Sequence, residues 1–221
     1  MKFGLMYANA GPFAYPEGLT NLARTAEEAG VESLWTVEHV VIPVGYKSIY
    51  PYNPSGKIPG PENIPIPDPL IALSFAAAVT KKIRLATGIL ILPQRHPLYV
   101  AKEVATLDVL SGGRVILGIG VGWLAEEFEA LGIPFEERAA RTAEAVRALR
   151  SLWKPEPEAF AGKFYRWPPL ESHPKPPAAG RADRRRRPHD TRGAARGTLR
   201  RRLLPRGRRG RQARGDHSDA P

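Results

Sequence analysis

Along residues 1–153 the apolar positions fall into two alternating patterns. Some form short unbroken runs; others recur every three to four residues over longer stretches. The first pattern predicts buried strands and the second predicts amphipathic helices. Residues 2–8 (KFGLMYA) read as a short strand. Residues 17–29 carry Leu19, Leu22, Ala23 and Ala26 at helical spacing, and Gly30 stops that helix. Residues 33–37 (SLWTV) form a second strand ending at Glu38-His39. Residues 40–67 are a long loop rich in proline and glycine, with Tyr46, Tyr50 and Tyr52. Asp68 supplies a capping carboxylate and Pro69 the first position of a helix that runs to about Thr80. Residues 83–92 (IRLATGILIL) are a third strand, apolar on both faces. Pro97–Leu110 is a helix closed by Gly112-Gly113, and residues 114–119 (RVILGI) are a fourth strand. Residues 136–153 form a long helix with Ala139, Ala143, Val146, Leu149 and Leu152 on one face.

Strands that are apolar throughout, each joined to the next by a helix, are the pattern of a parallel sheet covered on both faces. A doubly wound sheet and a barrel both satisfy it. A closed (β/α)8 barrel takes ~250 residues. The four strand–helix units in residues 1–153 would then be its first half.

Charge sharpens the picture. The chain has 221 residues and a formal net charge of +11. Residues 1–173 hold 17 Lys+Arg against 18 Asp+Glu, a net charge of −1. Residues 174–221 hold 16 Lys+Arg against 4 Asp, a net charge of +12. The body therefore has the balance of an ordinary cytoplasmic enzyme, and nucleic-acid binding by it is not expected. No apolar run approaches the ~20 residues of a membrane span, and the start (MKFGLMYANAG) does not have the form of a secretory signal. The absence of cysteine excludes disulfides, thiolate metal ligands and a cysteine nucleophile. The histidines (His39, His96, His173, His189 and His217) are scattered, with no pair at metal-ligand spacing, so no metal site is expected.

In parallel α/β folds the chemistry sits at the C-terminal strand ends. Four candidates fall there: Asn9 after strand one, Glu38-His39 after strand two, Thr87-Gly88-Ile89 late in strand three, and Gly118–Trp123 after strand four. A histidine at a strand end can exchange a proton near neutral pH; it can equally order the long loop behind it. Gly118, Gly120 and Gly122 have the wrong spacing for a dinucleotide fingerprint. They suit a backbone that approaches a flat ligand closely, or a tight strand-to-helix turn. Gly88 marks close approach or simple packing inside a narrow barrel. His96 reads as a loop or capping residue. Glu137, Arg138, Arg141 and Glu144 read as a solvated helix face.

The segment from Ile83 to Trp123 (IRLATGILILPQRHPLYVAKEVATLDVLSGGRVILGIGVGW) closely resembles the luciferase-like monooxygenase superfamily. So do LARTAEEAGVESLWTVEH, ending at His39, and GIPFEERAARTAEAVRALRSLW, ending at Trp153. The resemblance covers about residues 1–176 and is greatest to the branch that uses the 8-hydroxy-5-deazaflavin coenzyme F-420. It implies a luciferase-type (β/α)8 TIM barrel, often a homodimer. It also implies hydride transfer to or from the deazaflavin ring and a small organic substrate; reduced FMN with oxygen serves another branch. It gives His39 a proton-transfer role and Glu38 a coenzyme contact or an orienting role. A non-proline cis peptide that backs the ring matches Gly88-Ile89. The residues placed by the coenzyme are Asn9, Thr87, Gly88, Ile89, Gly120, Val121, Gly122 and Trp123. Some deazaflavin relatives carry a glutamate where this chain has Trp123.

The resemblance divides the chain into residues 1–176, the first part of the barrel, and residues 177–221, an arginine-rich tail. Residues 174–221 contain fifteen Arg and one Lys, and no Val, Ile, Phe, Tyr, Trp, Met or Glu. GC-rich DNA read out of frame gives such text. Shifting the frame lets residues 182–189 decode as PIVVGGHT and residues 198–205 as RYGDGFFP, which resemble the family's next two strands. The expectation is a frameshift between about Pro176 and Ala182. The alternatives are a disordered basic tail or a nucleic-acid-binding arm. A chain without strands five to eight is expected to be inactive and poorly soluble. The gene sequence tests the shift: an uninterrupted shifted frame supports it, and early stop codons refute it.

Overall fold

The computed structural model describes residues 1–177. The expectations for the tail and its reading frame lie outside the described residues. In chain order the elements are β1 (Gly4–Leu5), α1 (Pro16–Glu28), β2 (Ser33–Thr36), α2 (Pro69–Val79), β3 (Arg84–Thr87), β4 (Leu90–Ile91) and α3 (Pro97–Leu110). They continue with β5 (Val115–Ile116), β6 (Ile119–Gly120), α4 (Ala125–Ala130), α5 (Arg138–Leu152), β7 (Phe160–Ala161) and β8 (Arg166–Trp167).

The main sheet is parallel with the order β1-β2-β3-β5. Each strand lies beside its predecessor, and adjacent helices pack on one another: α1 on α2, α2 on α3, α3 on α5. A doubly wound sheet would reverse its strand order part-way. The sequential order is that of a (β/α)8 barrel, here its first four units. Leu34 and Leu85 are paired in register and fully buried, in one cluster with Leu73, Ala76 and Val104 of the helical layer. The opposite sheet face carries Trp35. A Cβ added at Gly4 or Gly88 would press on its indole, and one at Gly88 also on Met6. Packing against Trp35 and Met6 thus accounts for Gly88. Among the described residues β1 has only β2 as a neighbour, and Phe3, Leu5, Met6 and Tyr7 are exposed.

Several expectations need correction. The strands are shorter than the apolar runs, because strands three and four each break. β3 pauses at Gly88-Ile89 and resumes as β4, while β5 pauses at Leu117-Gly118 and resumes as β6. The pairing then continues between β4 and β6. The buried stripe of α5 is Thr142, Ala145, Ala148, Leu149 and Leu152, whereas Ala139 and Ala143 are exposed. Alanines at both spacings hide which face turns inward. Glu144 is not on a solvated face: it is buried and accepts hydrogen bonds from the backbone N–H groups of Lys163, Phe164 and Tyr165. It thereby holds the turn of the β7–β8 hairpin, an element the pattern did not predict. Glu137 and Arg141 do form a partly exposed i,i+4 pair. The short α4 also went unpredicted. The α2 and α3 starts match: Asp68 accepts from the N–H groups of Leu70 and Ile71, and the His96 ring caps α3 by accepting from Leu98 N–H.

Candidate active site at the strand ends

The sheet delivers its C-terminal ends to one rim. There the polar side chains divide into those consumed by the scaffold and those left open. Asn9 is fully buried; its amide donates to the carbonyls of Val37 and Pro67 and accepts from Val37 N–H. Thr87 is equally buried; its hydroxyl donates to Gly118 C=O and accepts from Gly118 N–H. Both stitch strand ends together and present no polar atom to the rim. Tyr7, two residues past β1, has a positive φ of 63°.

Glu38 turns inward. Its carboxylate accepts from Arg95 Nε at 2.8 Å, from Arg95 Nη2 and from Ile91 N–H. The same guanidinium reaches Asp68 at the start of α2. Burial pushes the Glu38 carboxyl up, against the pull of Arg95 and of Ile91 N–H. Burial also acts upward on Asp68, but its bonds to Arg95, Ile71 and Leu70 prevail and hold it below the usual carboxylate range. This geometry suits an orienting role for Glu38.

His39, next in the chain, keeps partial exposure. Its Nδ1 lies 3.0 Å from Glu127 Oε2, and its ring meets Trp123 edge-on at 5.7 Å. Glu127 is fully buried, and its Oε1 accepts from Val40 N–H (2.6 Å) and Val41 N–H (3.3 Å). Glu126 beside it accepts from Lys47 N–H, Ser48 N–H and the Ser48 hydroxyl. Together the two glutamates of α4 pin the start of the long loop. Neither was a sequence candidate. The available signal was an acidic pair in the first turn after the glycine-rich segment, which reads equally as ordinary helix-start charge.

The peptide between Gly88 and Ile89 is cis, at the place the resemblance implies. Ile89 packs over Gly120, where a Cβ would collide with its side chain. Gly122 has φ +78°, and a Cβ there would press on Phe128 and Ile91. A Cβ at Gly118 would collide with the Thr87 carbonyl, so the three spaced glycines are explained by the packing of Thr87, Ile89 and Phe128 respectively. Gly88, Ile89, Gly120, Val121, Gly122 and Trp123 all retain exposure; Ile89 lies against Gly120, and His39 meets Trp123. Tyr46 and Tyr50 pack on Trp123 at 5.5 and 5.1 Å, and Tyr52 packs on Tyr50. Burial and the neighbouring Tyr7 phenol push the Tyr50 phenol up. Among the described residues, no group of three or more His, Asp or Glu could hold a metal ion. No described helix is long and apolar enough to cross a membrane.

The sequence model of the luciferase-like monooxygenase family matches residues 1–197. The chain belongs to this family. An uncharacterized protein of Mycobacterium tuberculosis is 35% identical over 178 residues, 80% of this chain and 61% of its own length. An F420-dependent glucose-6-phosphate dehydrogenase of Kineococcus radiotolerans is 36% identical over 162 residues, 72% of this chain and 43% of its own length. Among solved structures, monooxygenase RslO1 of Streptomyces bottropensis superposes with a TM-score of 0.63 at 34% identity. It covers 79% of this chain and 50% of its own. An F420-dependent secondary alcohol dehydrogenase superposes with a TM-score of 0.63 at 25% identity, covering 80% of this chain and 49% of its own. The chain thus spans about 60% or less of the length of these relatives. The luciferase-like family has both F420-dependent and flavin-dependent members.

Two tests follow from the anchors. Replacing Arg95 by Met leaves Glu38 buried without its cation and is expected to destabilise the fold by about 3–5 kcal/mol in chemical denaturation. A loss below about 1 kcal/mol would contradict the anchoring role. The Glu126 carboxyl is lowered to about 2, first by the Ser48 hydroxyl and then by its own N–H group and those of Lys47 and Ser48. A depressed carboxyl contributes stability in full above its ordinary value of 4.5 and loses it as pH falls through about 2. Ser48→Ala is expected to move the Glu126 titration, followed by carboxyl NMR, upward; an unchanged titration contradicts this cause.

Proposed function

We propose that residues 1–177 carry the ring-binding half of an oxidoreductase that moves a hydride between a reduced deazaflavin coenzyme and a small organic substrate. The observation that carries this reading is the exposed group of Gly88, Ile89, Gly120, Val121, Gly122 and Trp123, with the partly exposed His39 imidazole against Trp123. Backbone, apolar side chains and an aromatic edge suit a flat ring. The charged groups at the strand ends (Glu38, Asp68, Arg95 and Glu127) are already satisfied by one another or by backbone N–H groups. The bound coenzyme would supply the hydride chemistry. His39 would take or give the substrate proton through Nε2, because Nδ1 faces Glu127. Glu38 would hold the end of β2, and with it His39, through Arg95. Asn9 and Thr87 would act on the coenzyme only through the strand ends they secure. Tyr50 and Tyr52, on the long loop beside Trp123, would face the substrate, and an aromatic lining suits an uncharged one.

Support for the deazaflavin comes from the F420-dependent relatives at 36% and 25% identity. A second reading, reduced FMN with oxygen, is favoured by the likeness to RslO1, a monooxygenase, at 34%. Residues 1–177 hold the first four barrel units and span about 60% or less of the relatives' length, so the complete activity is proposed for the chain with its frame restored past about Pro176. Titrating that chain with both reduced coenzymes separates the readings. Saturable binding of the deazaflavin is expected; preferential binding of FMN establishes the second reading, and binding of neither refutes both. His39→Ala is expected to lower turnover by roughly 10²–10⁴-fold with coenzyme affinity nearly unchanged.

A further inference from the structure

We propose that Glu127 is a positioning residue that fixes the tautomer of His39 and ties it to the loop that follows β2. The two carboxylate oxygens of Glu127 have separate duties. Oε1 accepts from the backbone N–H groups of Val40 and Val41, and Oε2 faces His39 Nδ1 at 3.0 Å. A carboxylate only accepts hydrogen bonds, so the proton of a neutral His39 must sit on Nδ1. The Nε2 lone pair is then the one available to a substrate. The Trp123 edge at 5.7 Å flanks the ring. Glu127 is fully buried, so water does not compete for Oε2. One side chain therefore couples two things: the position of the loop at Val40-Val41, and the identity of the ring nitrogen that carries the proton.

The arrangement makes an isosteric change informative. In Glu127→Gln the amide oxygen is claimed by the two backbone N–H groups, because the NH2 group cannot accept from them. The NH2 group then occupies the Oε2 position and points at Nδ1. To accept that hydrogen bond Nδ1 must lose its proton, and the neutral ring moves its proton to Nε2. Size, shape and loop contacts are retained while the tautomer inverts. A group that only filled space or braced the loop would leave the tautomer unchanged.

The test uses the full 221-residue chain labelled with ring-15N histidine, sedimented, with solid-state 15N spectra recorded near pH 8. The His39 signals are assigned by their loss in His39→Gln. The expected result is a protonated Nδ1 with an unprotonated Nε2 in the parent chain, and in Glu127→Gln an unprotonated Nδ1 with a protonated Nε2. An unprotonated Nδ1 or a protonated Nε2 in the parent, or a Nδ1 that stays protonated in Glu127→Gln, overturns the proposal. The parent spectrum decides the first arm even where the variant fails to fold. The catalytic meaning of the tautomer rests on the function proposed above, but the spectra do not: a chain that binds neither coenzyme would still show the inversion. Where that function holds, Glu127→Gln also lowers kcat with KM for the coenzyme little changed.

Discussion

The guanidinium of Arg95 joins segments that the sequence keeps 57 and 27 residues away from it. It meets the end of β2 at Glu38, the start of α2 at Asp68, and itself belongs to the turn between β4 and α3. A parallel barrel leaves its strand ends as loose loops, and loops make few apolar contacts of their own. A buried ion pair of this kind adds little net stability over an apolar substitute, but breaking it leaves a buried charge. Its value here is geometric. With Glu38 held, the next residue, His39, has a defined place on the rim, and Ile91 N–H is tied to the same carboxylate.

Buried or partly buried carboxylates tie down several other segments outside the regular elements. Glu27 accepts from the N–H groups of Lys81, Lys82 and Ile83 below the sheet. Glu144 secures the hairpin turn, Glu126 holds Lys47 and Ser48, and Glu127 holds Val40 and Val41. In each case a carboxylate satisfies N–H groups that no strand or helix ladder reaches. The long loop is thus pinned at its start by α4, and the floor of the site is set before any ligand arrives.

The sequence made the α/β architecture legible because its punctuation is chemical: Asp68-Pro69 starts a helix and Gly30 ends one. The choice of a barrel over a doubly wound sheet rested on the resemblance, since short apolar strands do not state their neighbours. The breaks at Gly88-Ile89 and Leu117-Gly118 were hidden inside apolar runs that continue on both sides of them. The inward face of α5 was hidden by alanine, which fits either face. At the site, His39 and the glycine segment were visible by position. Glu127 was not, because only the folded chain brings residue 127 back to residue 39. Asn9 and Thr87 sit at the strand ends as expected, with their hydrogen bonds directed into the scaffold.

Buried carboxylates build the rim of this luciferase-like fold. Hydrogen exchange of the 221-residue chain, resolved to single amides, measures this most directly. Ile91 N–H, held by Glu38, and Val40 N–H, held by Glu127, should exchange as slowly as Leu85 N–H within the sheet. Exchange of Ile91 and Val40 at the rate of exposed loop amides such as Ser55 would show that the rim is not preformed, and would contradict the account.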